Sequence, residues 1–370
     1  MAELYPLKFN PYFKELIWGG RKLERLLHKR LPPGKAIGES WEVCDTNIIQ
    51  NGPLAGLTLA DVTRRFGQKL VGINGTQSST FPLLLKLSST ELDLSIQVHP
   101  DDAGARSLEP DSGFSGKAEM IYVLDRESKA RVFYGFKEQI SRDVLQSALA
   151  NGSAIVDLLQ EIVVEPGDVI FVPPGVVHGY GAGLVYFELQ QATDITYRLY
   201  DWSRVDSAGR QRDLHIAKAM EVIDYQAVNP RKIEPVCIRE DYGQHYFLAA
   251  CRHFLVERLD LSANLLVGHT GGSFHLLCVV GGTAVLHWQC DSKSDLQIET
   301  GDVVLLPASL YEYILAPDSD CQILRSSVPD LEHDVVDYLL KHGVSALAIF
   351  DLGGSITTRN DLATLLLKDH

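Results

Sequence analysis

Two segments far apart in this chain read alike. Gly167-Asp168-Val169-Ile170-Phe171-Val172-Pro173 and Gly301-Asp302-Val303-Val304-Leu305-Leu306-Pro307 each give a turn, four apolar residues and a proline stop. An apolar run this short, bounded by turn residues, reads as a buried strand. Similar short runs recur at Ile121–Asp125, Val185–Leu189 and Leu276–Val280. Many short strands with turn punctuation predict an all-β sandwich or barrel. The repeat predicts that the unit occurs twice. The copies diverge at one position: eleven residues after its glycine the first has His178, whereas the second has Glu312 with Tyr311 beside it. The expectation is two related β-barrels, only the first of which keeps a metal site.

Helices are secondary. Arg21–His28, Leu59–Phe66, Leu214–Val222 and Glu332–Lys341 have helical character, and Ser141 is placed to cap a helix through Val144, Leu145 and Leu149. Ser153–Leu159 follows as a second short helix after the Asn151-Gly152 break. The expected division is a metal-binding domain over 1–235, a metal-free domain over 236–328 and a helical appendage over 329–370. The 370 residues, 45% of them hydrophobic, suffice for two domains with real cores.

Charge excludes one class of partner. At a net charge of -14 the chain is no nucleic-acid binder, which needs clustered cations, but a few local cations can still hold an anionic metabolite. No apolar run reaches the roughly 20 residues that span a bilayer. Met1 to Asn10 shows no secretory pattern, and the six cysteines form no Cys-x-x-Cys pair. Buried thiols in a cytoplasmic protein, monomer or homodimer, without membrane or nucleic-acid partners, is the expectation.

The segment Leu94-Ser95-Ile96-Gln97-Val98-His99-Pro100 carries the first chemistry. In a strand, Gln97 and His99 share one face and Ile96 and Val98 the other. Polar groups turned into a core need partners, at about 1–3 kcal/mol for each group left bare. A divalent metal would supply one. Glu119 adds a carboxylate just before a strand, and His178 a second imidazole after the Pro-Pro-Gly turn. Two imidazoles, a carboxylate and an amide oxygen suit Zn2+, although nickel, cobalt or manganese would also bind. A single histidine is usually a satisfied core residue; Gln-x-His together with the Gly-Asp…His segment is what points to metal. Further on, Glu188 and Gln190 share a strand face, and Arg198 follows Glu188 by ten residues with Asp194 between. A carboxylate beside a metal can move protons between adjacent carbons, and an arginine fork can hold a phosphate.

With these residues in view, the chain resembles the type I mannose-6-phosphate isomerases, in their short bacterial form. Lys14-Glu15-Leu16-Ile17-Trp18-Gly19-Gly20, Gly38-Glu39-Ser40-Trp41-Glu42 and Phe81-Pro82-Leu83-Leu84-Leu85-Lys86 are similar to that family's signatures. So are Gln97-Val98-His99-Pro100, Lys117-Ala118-Glu119 and Thr196-Tyr197-Arg198-Leu199-Tyr200-Asp201. The resemblance is strong from about Leu7 to Val222 and looser to about Ser327. It implies two cupin barrels of the double-stranded β-helix (jelly-roll) type, mainly β with a few peripheral helices. It also implies a bound zinc on Gln97, His99, Glu119 and His178, and interconversion of mannose 6-phosphate and fructose 6-phosphate through an enediol. It carries the essential arginine to Arg198, the acidic residue to Glu188, and pocket lysines to Lys86 and Lys117. The expected catalytic set is therefore Arg198, Glu188 and Lys117, with Lys86, Lys117 and Arg198 binding the sugar phosphate.

Two other functions use the same residues: a non-catalytic sugar-phosphate sensor, disfavoured by the intact ligand set, and a cupin oxygenase, disfavoured by the amide ligand and the arginine. The tail Ala348-Ile349-Phe350-Asp351-Leu352-Gly353-Gly354-Ser355 distantly resembles the first motif of haloacid-dehalogenase-like phosphatases, but Gly353 stands where that motif needs a second aspartate. It is expected to be a packing appendage or a fusion remnant without activity.

Overall fold

The fold is described from a computed structural model, for residues 3–77, 80–205, 208–227, 232–268, 272–290, 292–310, 312–354 and 360–366. Tyr311 and Ser355 lie outside the described residues. Each expected apolar run is a strand: Glu119–Arg126, Val169–Val172, Leu184–Gln191, His275–Gly281 and Val303–Leu306. The helices also form where caps and spacing put them. Thr58 and Asp61 make a reciprocal capping box at the start of Leu59–Phe66, and Ser141 accepts from the Val144 amide to start Arg142–Ala150. Between His99 and Glu119 the chain forms a helix, Asp102–Leu108, capped by Asp101. Leu331–Asp337 is a π-helix that runs into the α-helix Tyr338–Lys341.

The strands make four antiparallel sheets of eight, six, five and four strands. The six-stranded sheet runs Val169–Val172, Glu119–Arg126, Leu184–Gln191, Leu83–Ser89, Ile37–Val43, Tyr12–Gly20. Its alternation is strict. Leu83, Leu85, Leu87, Met120, Tyr122, Phe187 and Leu189 enter one large core shared with Leu276, Cys278, Leu305 and Leu324 of the eight-stranded sheet. Ile121, Val123, Ile170 and Tyr186 turn the other way, onto Val132, Tyr134 and Tyr180 of the five-stranded sheet. The four-stranded sheet covers the outer face of the eight-stranded one through Leu277, Val279, Leu286 and Leu315. The order of layers is therefore five, six, eight, four. Both central sheets are apolar on both faces except for two polar rows: Lys86, Glu119 and Glu188 on the six-stranded sheet, and His245, Glu257, His275 and Arg325 on the eight-stranded one.

This architecture corrects the expected fold class. A barrel needs a hydrogen-bond ladder that closes on itself. Here each sheet is open, ending in edge strands such as Tyr12–Gly20 and Leu159–Val163. Helices are dispersed between the strands along the chain. The fold is a mixed α/β arrangement of open sheets rather than a pair of cupin barrels, and the cupin term does not describe it. The sheets are not confined to one half of the chain either. The N-terminal strand Leu7–Asn10 pairs with Val303–Leu306, and Ile48–Ile49 extends the same eight-stranded sheet beyond it.

Candidate metal centre and its pocket

Register between strands assembles the site. In the five-stranded sheet Gln97 on Ile96–Val98 pairs with His178 on one side and with Arg198 on the other. Directly paired residues in a sheet turn to the same face, so Arg198, Gln97 and His178 stand in a row. Facing them across the layer, Glu188 pairs with Lys86, and Glu119 lies one strand over, paired with Gln190. His99 follows the end of its strand, and its ring is fixed by Nδ1 at 2.8 Å from the Ile195 carbonyl. His178 is fixed in the same way, with Nδ1 2.9 Å from the Val176 carbonyl.

Those two carbonyls decide the tautomers. A carbonyl only accepts, so each Nδ1 donates, and the lone pair of each neutral ring is left on Nε2. Both Nε2 atoms then point at a carboxylate: His178 Nε2 lies 3.0 Å from Glu119 Oε1, and His99 Nε2 lies 3.5 Å from Glu119 Oε2. Acceptors brought this close, with all three residues buried, call for a cation between them. One ligand atom from each of His99, Glu119 and His178 lies within 4.8 Å of the others. Glu119 Oε2 is buried with the Lys117 ammonium 2.7 Å away, yet accepts no well-directed hydrogen bond. Two nitrogens and a carboxylate oxygen fit Zn2+ with positions to spare. Gln97 Nε2 lies 3.4 Å from His178 Nε2, so the amide borders the same point, with its Oε1 held by the Ser95 hydroxyl at 3.1 Å.

The charges form one connected set. Lys117 Nζ is 3.3 Å from His99 Nε2 and 3.9 Å from Glu188 Oε1. Lys86 Nζ is 3.3 Å from Glu188 Oε1 and 3.6 Å from Asp194 Oδ1, and Lys14 Nζ is 2.8 Å from Asp194 Oδ2. Burial pushes the Glu188 carboxyl upward and Glu119 adds to the rise, with Lys86 opposing it. Burial pushes Glu119 up too, but Lys117 and His99 outweigh it and hold its pKa well below the usual range. Burial and Lys117 hold the His99 ring well below its ordinary pKa, in the neutral form a metal ligand needs.

A cavity of about 260 Å3 opens onto this set, lined by Gln97, Lys86, Lys117, Glu188 and Arg198. The structure therefore brings together the metal-ligand, lysine, glutamate and arginine candidates of the sequence, with His99, Glu119 and His178 buried behind the lining residues Gln97, Lys117 and Tyr180. It adds several that the sequence reading missed. Lys14, Glu39 and Arg212 line the cavity, and Tyr180 donates to Glu119 Oε1 at 2.6 Å. Lys14 and Glu39 lay inside quoted motifs, and period-two reasoning from Trp41 would have turned Glu39 inward. Arg212 carried no local signal.

A carboxylate–histidine metal centre beside one small polar cavity lined by a buried acid, two buried lysines and an arginine is the equipment of a metal-dependent enzyme acting on an anionic metabolite. Residues 6–124 match the family described as phosphomannose isomerase type I, catalytic domain. The chain is 32% identical over 320 residues to mannose-6-phosphate isomerase ManA of Bacillus subtilis, covering 85% of this chain and 97% of that protein. It is 39% identical over 227 residues to the probable mannose-6-phosphate isomerase GmuF of the same organism, covering 59% of this chain and 68% of GmuF. The crystal structure of the mannose 6-phosphate isomerase from Bacillus subtilis superposes with a TM-score of 0.78 at 30% identity, covering 87% of this chain and 99% of that one. The chain belongs to the type I phosphomannose isomerase family.

Proposed function

We propose that the chain interconverts mannose 6-phosphate and fructose 6-phosphate, an aldose–ketose isomerisation that depends on a bound metal. The observation that carries this reading is the convergence of His99, Glu119 and His178 within 4.8 Å, beside the buried carboxylate of Glu188. The reaction removes a proton from C2 and returns one to C1 through an enediol. When bound by the two histidines and Glu119, with Gln97 at its edge, Zn2+ supplies Lewis-acid stabilisation of the charge that develops on O1 and O2.

In this reading Glu188 is the base that takes the C2 proton and returns it to C1. Its raised pKa brings it nearer the working pH, where a base is most effective. Lys86, 3.3 Å away, fixes the carboxylate and compensates its charge as the proton moves. Lys117 is within 4 Å of both Glu119 and Glu188, so its ammonium can follow the negative charge from one to the other and toward the sugar oxygens.

The phosphate belongs at the other end of the cavity, with Arg198 and Arg212. Burial and the neighbouring Arg212 both press the Arg198 pKa down, with Asp201 and Asp194 opposing them. Arg198 Nε is buried without a partner, and Arg212 is held in place by Asp201, with Nε donating to Oδ2 at 2.7 Å. A lost charged hydrogen bond is worth about 1.5–3 kcal/mol. Arg212→Ala is therefore expected to raise KM about 10–100-fold at 1.4 kcal/mol per decade, with a far smaller change in kcat. Steady-state kinetics, with inorganic phosphate as competitive inhibitor, check this. An unchanged KM would remove Arg212 from the phosphate end.

The reaction itself is tested by coupling fructose 6-phosphate formation to a colour change, before and after chelation. Turnover lost on chelation and regained with zinc is the expected outcome. A zinc-loaded protein that leaves mannose 6-phosphate untouched would transfer the site to another sugar phosphate.

No helix among the described residues is long and apolar enough to cross a membrane. We read the protein as cytoplasmic, in keeping with the free thiols of Cys44, Cys237, Cys251, Cys278 and Cys321. For organisation we propose domains over 1–235 and 236–328 and an appendage over 329–370, with the first domain lending two strands to the sheet of the second.

A further inference from the structure

Six strands of the eight-stranded sheet repeat the strand order of the six-stranded sheet: Val303–Leu306, His275–Gly281, Cys321–Ser327, Phe254–Leu261, Gly243–Cys251, Val236–Glu240. The residue register repeats as well. In the first copy Val172 pairs with Glu119, and Glu188 pairs with both Ile121 and Lys86, which in turn pairs with Trp41. In the second, Leu306 pairs with His275, and Arg325 pairs with both Leu277 and Glu257, which in turn pairs with Phe247. Counted from the two Gly-Asp turns, His275 holds the place of Glu119, Arg325 that of Glu188, and Glu257 that of Lys86. Tyr313, paired with Val267, holds the place of His178, paired with Gln97.

The polar inner face is thus kept while its chemistry is exchanged. The Lys86–Glu188 pair becomes a Glu257–Arg325 pair of opposite sense, bidentate, with both bonds at 2.7 Å. His245 Nε2 lies 2.7 Å from Glu257 Oε1, and His275 Nδ1 lies 2.7 Å from the Tyr313 hydroxyl. Glu257, His245 and His275 are buried, and the Arg325 side chain is 13% exposed. With Glu119, His178 and Gln97 replaced by His275, Tyr313 and Val267, the carboxylate and one imidazole of the ligand set are gone. The only candidate metal cluster among the described residues is the one in the first copy.

A cavity of about 810 Å3 opens onto this second network, three times the size of the first. That volume suits a small ligand. Its chemistry narrows the class. His245 Nδ1 is buried without a partner at this wall, and an apolar ligand would leave it so. A phosphate ester would meet Glu240, Asp330 and Asp334 at the wall, while the one arginine is already matched by Glu257. Hydroxyl groups, which both donate and accept, match the carboxylates, imidazoles and tyrosine hydroxyls of this wall, and the rings of Tyr242, Phe247 and Tyr338 with the aliphatic Leu255 and Leu265 offer faces for sugar C–H groups. We propose that this cavity is a second, metal-independent binding site for an uncharged hexose, which it holds without isomerising.

The experiment is saturation-transfer NMR of D-mannose on the full zinc-loaded chain and on the chelated chain, followed by titration for affinity. Binding on the order of 1 mM is expected in both. Tyr242→Ala and His333→Ala, two wall positions outside the buried network, are expected to weaken it about tenfold or more while mannose 6-phosphate turnover persists. Arg198→Ala is expected to leave mannose binding intact. No binding up to about 100 mM would end the proposal. Binding lost on chelation or with Arg198→Ala would place the sugar in the metal site, and wild-type affinity in both wall variants would place it elsewhere; either result overturns the assignment. Turnover is read in a separate assay, so failure of the isomerase reading shows independently.

Discussion

His178→Ala is expected to lose its metal and its isomerase activity together. The ring is fully buried, its Nδ1 is tied to the Val176 carbonyl at 2.9 Å, and its Nε2 points at Glu119 from 3.0 Å. Truncation removes one of two imidazole donors and leaves Glu119 and His99 too few to hold a divalent ion tightly. Transition-state stabilisation of several kcal/mol goes with it, or about 1000-fold or more in rate at 1.36 kcal/mol per decade. Elemental analysis of the dialysed variant reads the metal, and circular dichroism verifies that the sheets survive. His99→Ala is expected to behave alike. A folded variant with a full equivalent of zinc and near-normal turnover would mean that the ion sits elsewhere.

Glu188→Gln is expected to keep its metal and lose about 100- to 10,000-fold in kcat, the usual contribution of a positioned base. The pH profile carries the sharper evidence. A base works in its ionised form, so kcat/KM falls as pH drops through its pKa. Burial, reinforced by Glu119, raises the Glu188 pKa above its ordinary value even against Lys86. The acid limb should therefore lie above about pH 4.3, the value of an unperturbed glutamate, and should vanish from the residual activity of the glutamine variant. A variant with the wild-type rate, or with the acid limb unmoved, would hand proton abstraction to another group.

The metal ligands were legible in the sequence because their signal is local. Period-two alternation puts Gln97 and His99 on one face, and the Gly-Asp turn fixes the distance to His178. Strands and helix caps were legible for the same reason. Closure is not local: whether the edge at Tyr12–Gly20 meets another strand depends on the whole layer order, and the pattern that writes a barrel strand also writes an open-sheet strand. Arg212 escaped notice because its place is set by Asp201, eleven residues away across a loop. The second copy of the site escaped because its charges are exchanged. A search for histidine and glutamate at spacings taken from the first copy finds Glu312, whereas strand pairing brings forward Tyr313.

The pairing of Leu7–Asn10 with Val303–Leu306 also bears on how the molecule is made. The Lys8–Asp302 ion pair on this seam closes across 294 positions of chain. A ribosome adding about 5–20 residues per second needs roughly 15–60 s to cover that interval. For that time the first strand emerges without its partner, and the apolar face that Leu83, Leu85 and Leu87 will share with the C-terminal sheet has nothing to cover it. Such faces and edges invite aggregation. Nascent chains stalled before residue 300 are expected to be held by chaperones or degraded, even though they already contain every ligand of the metal.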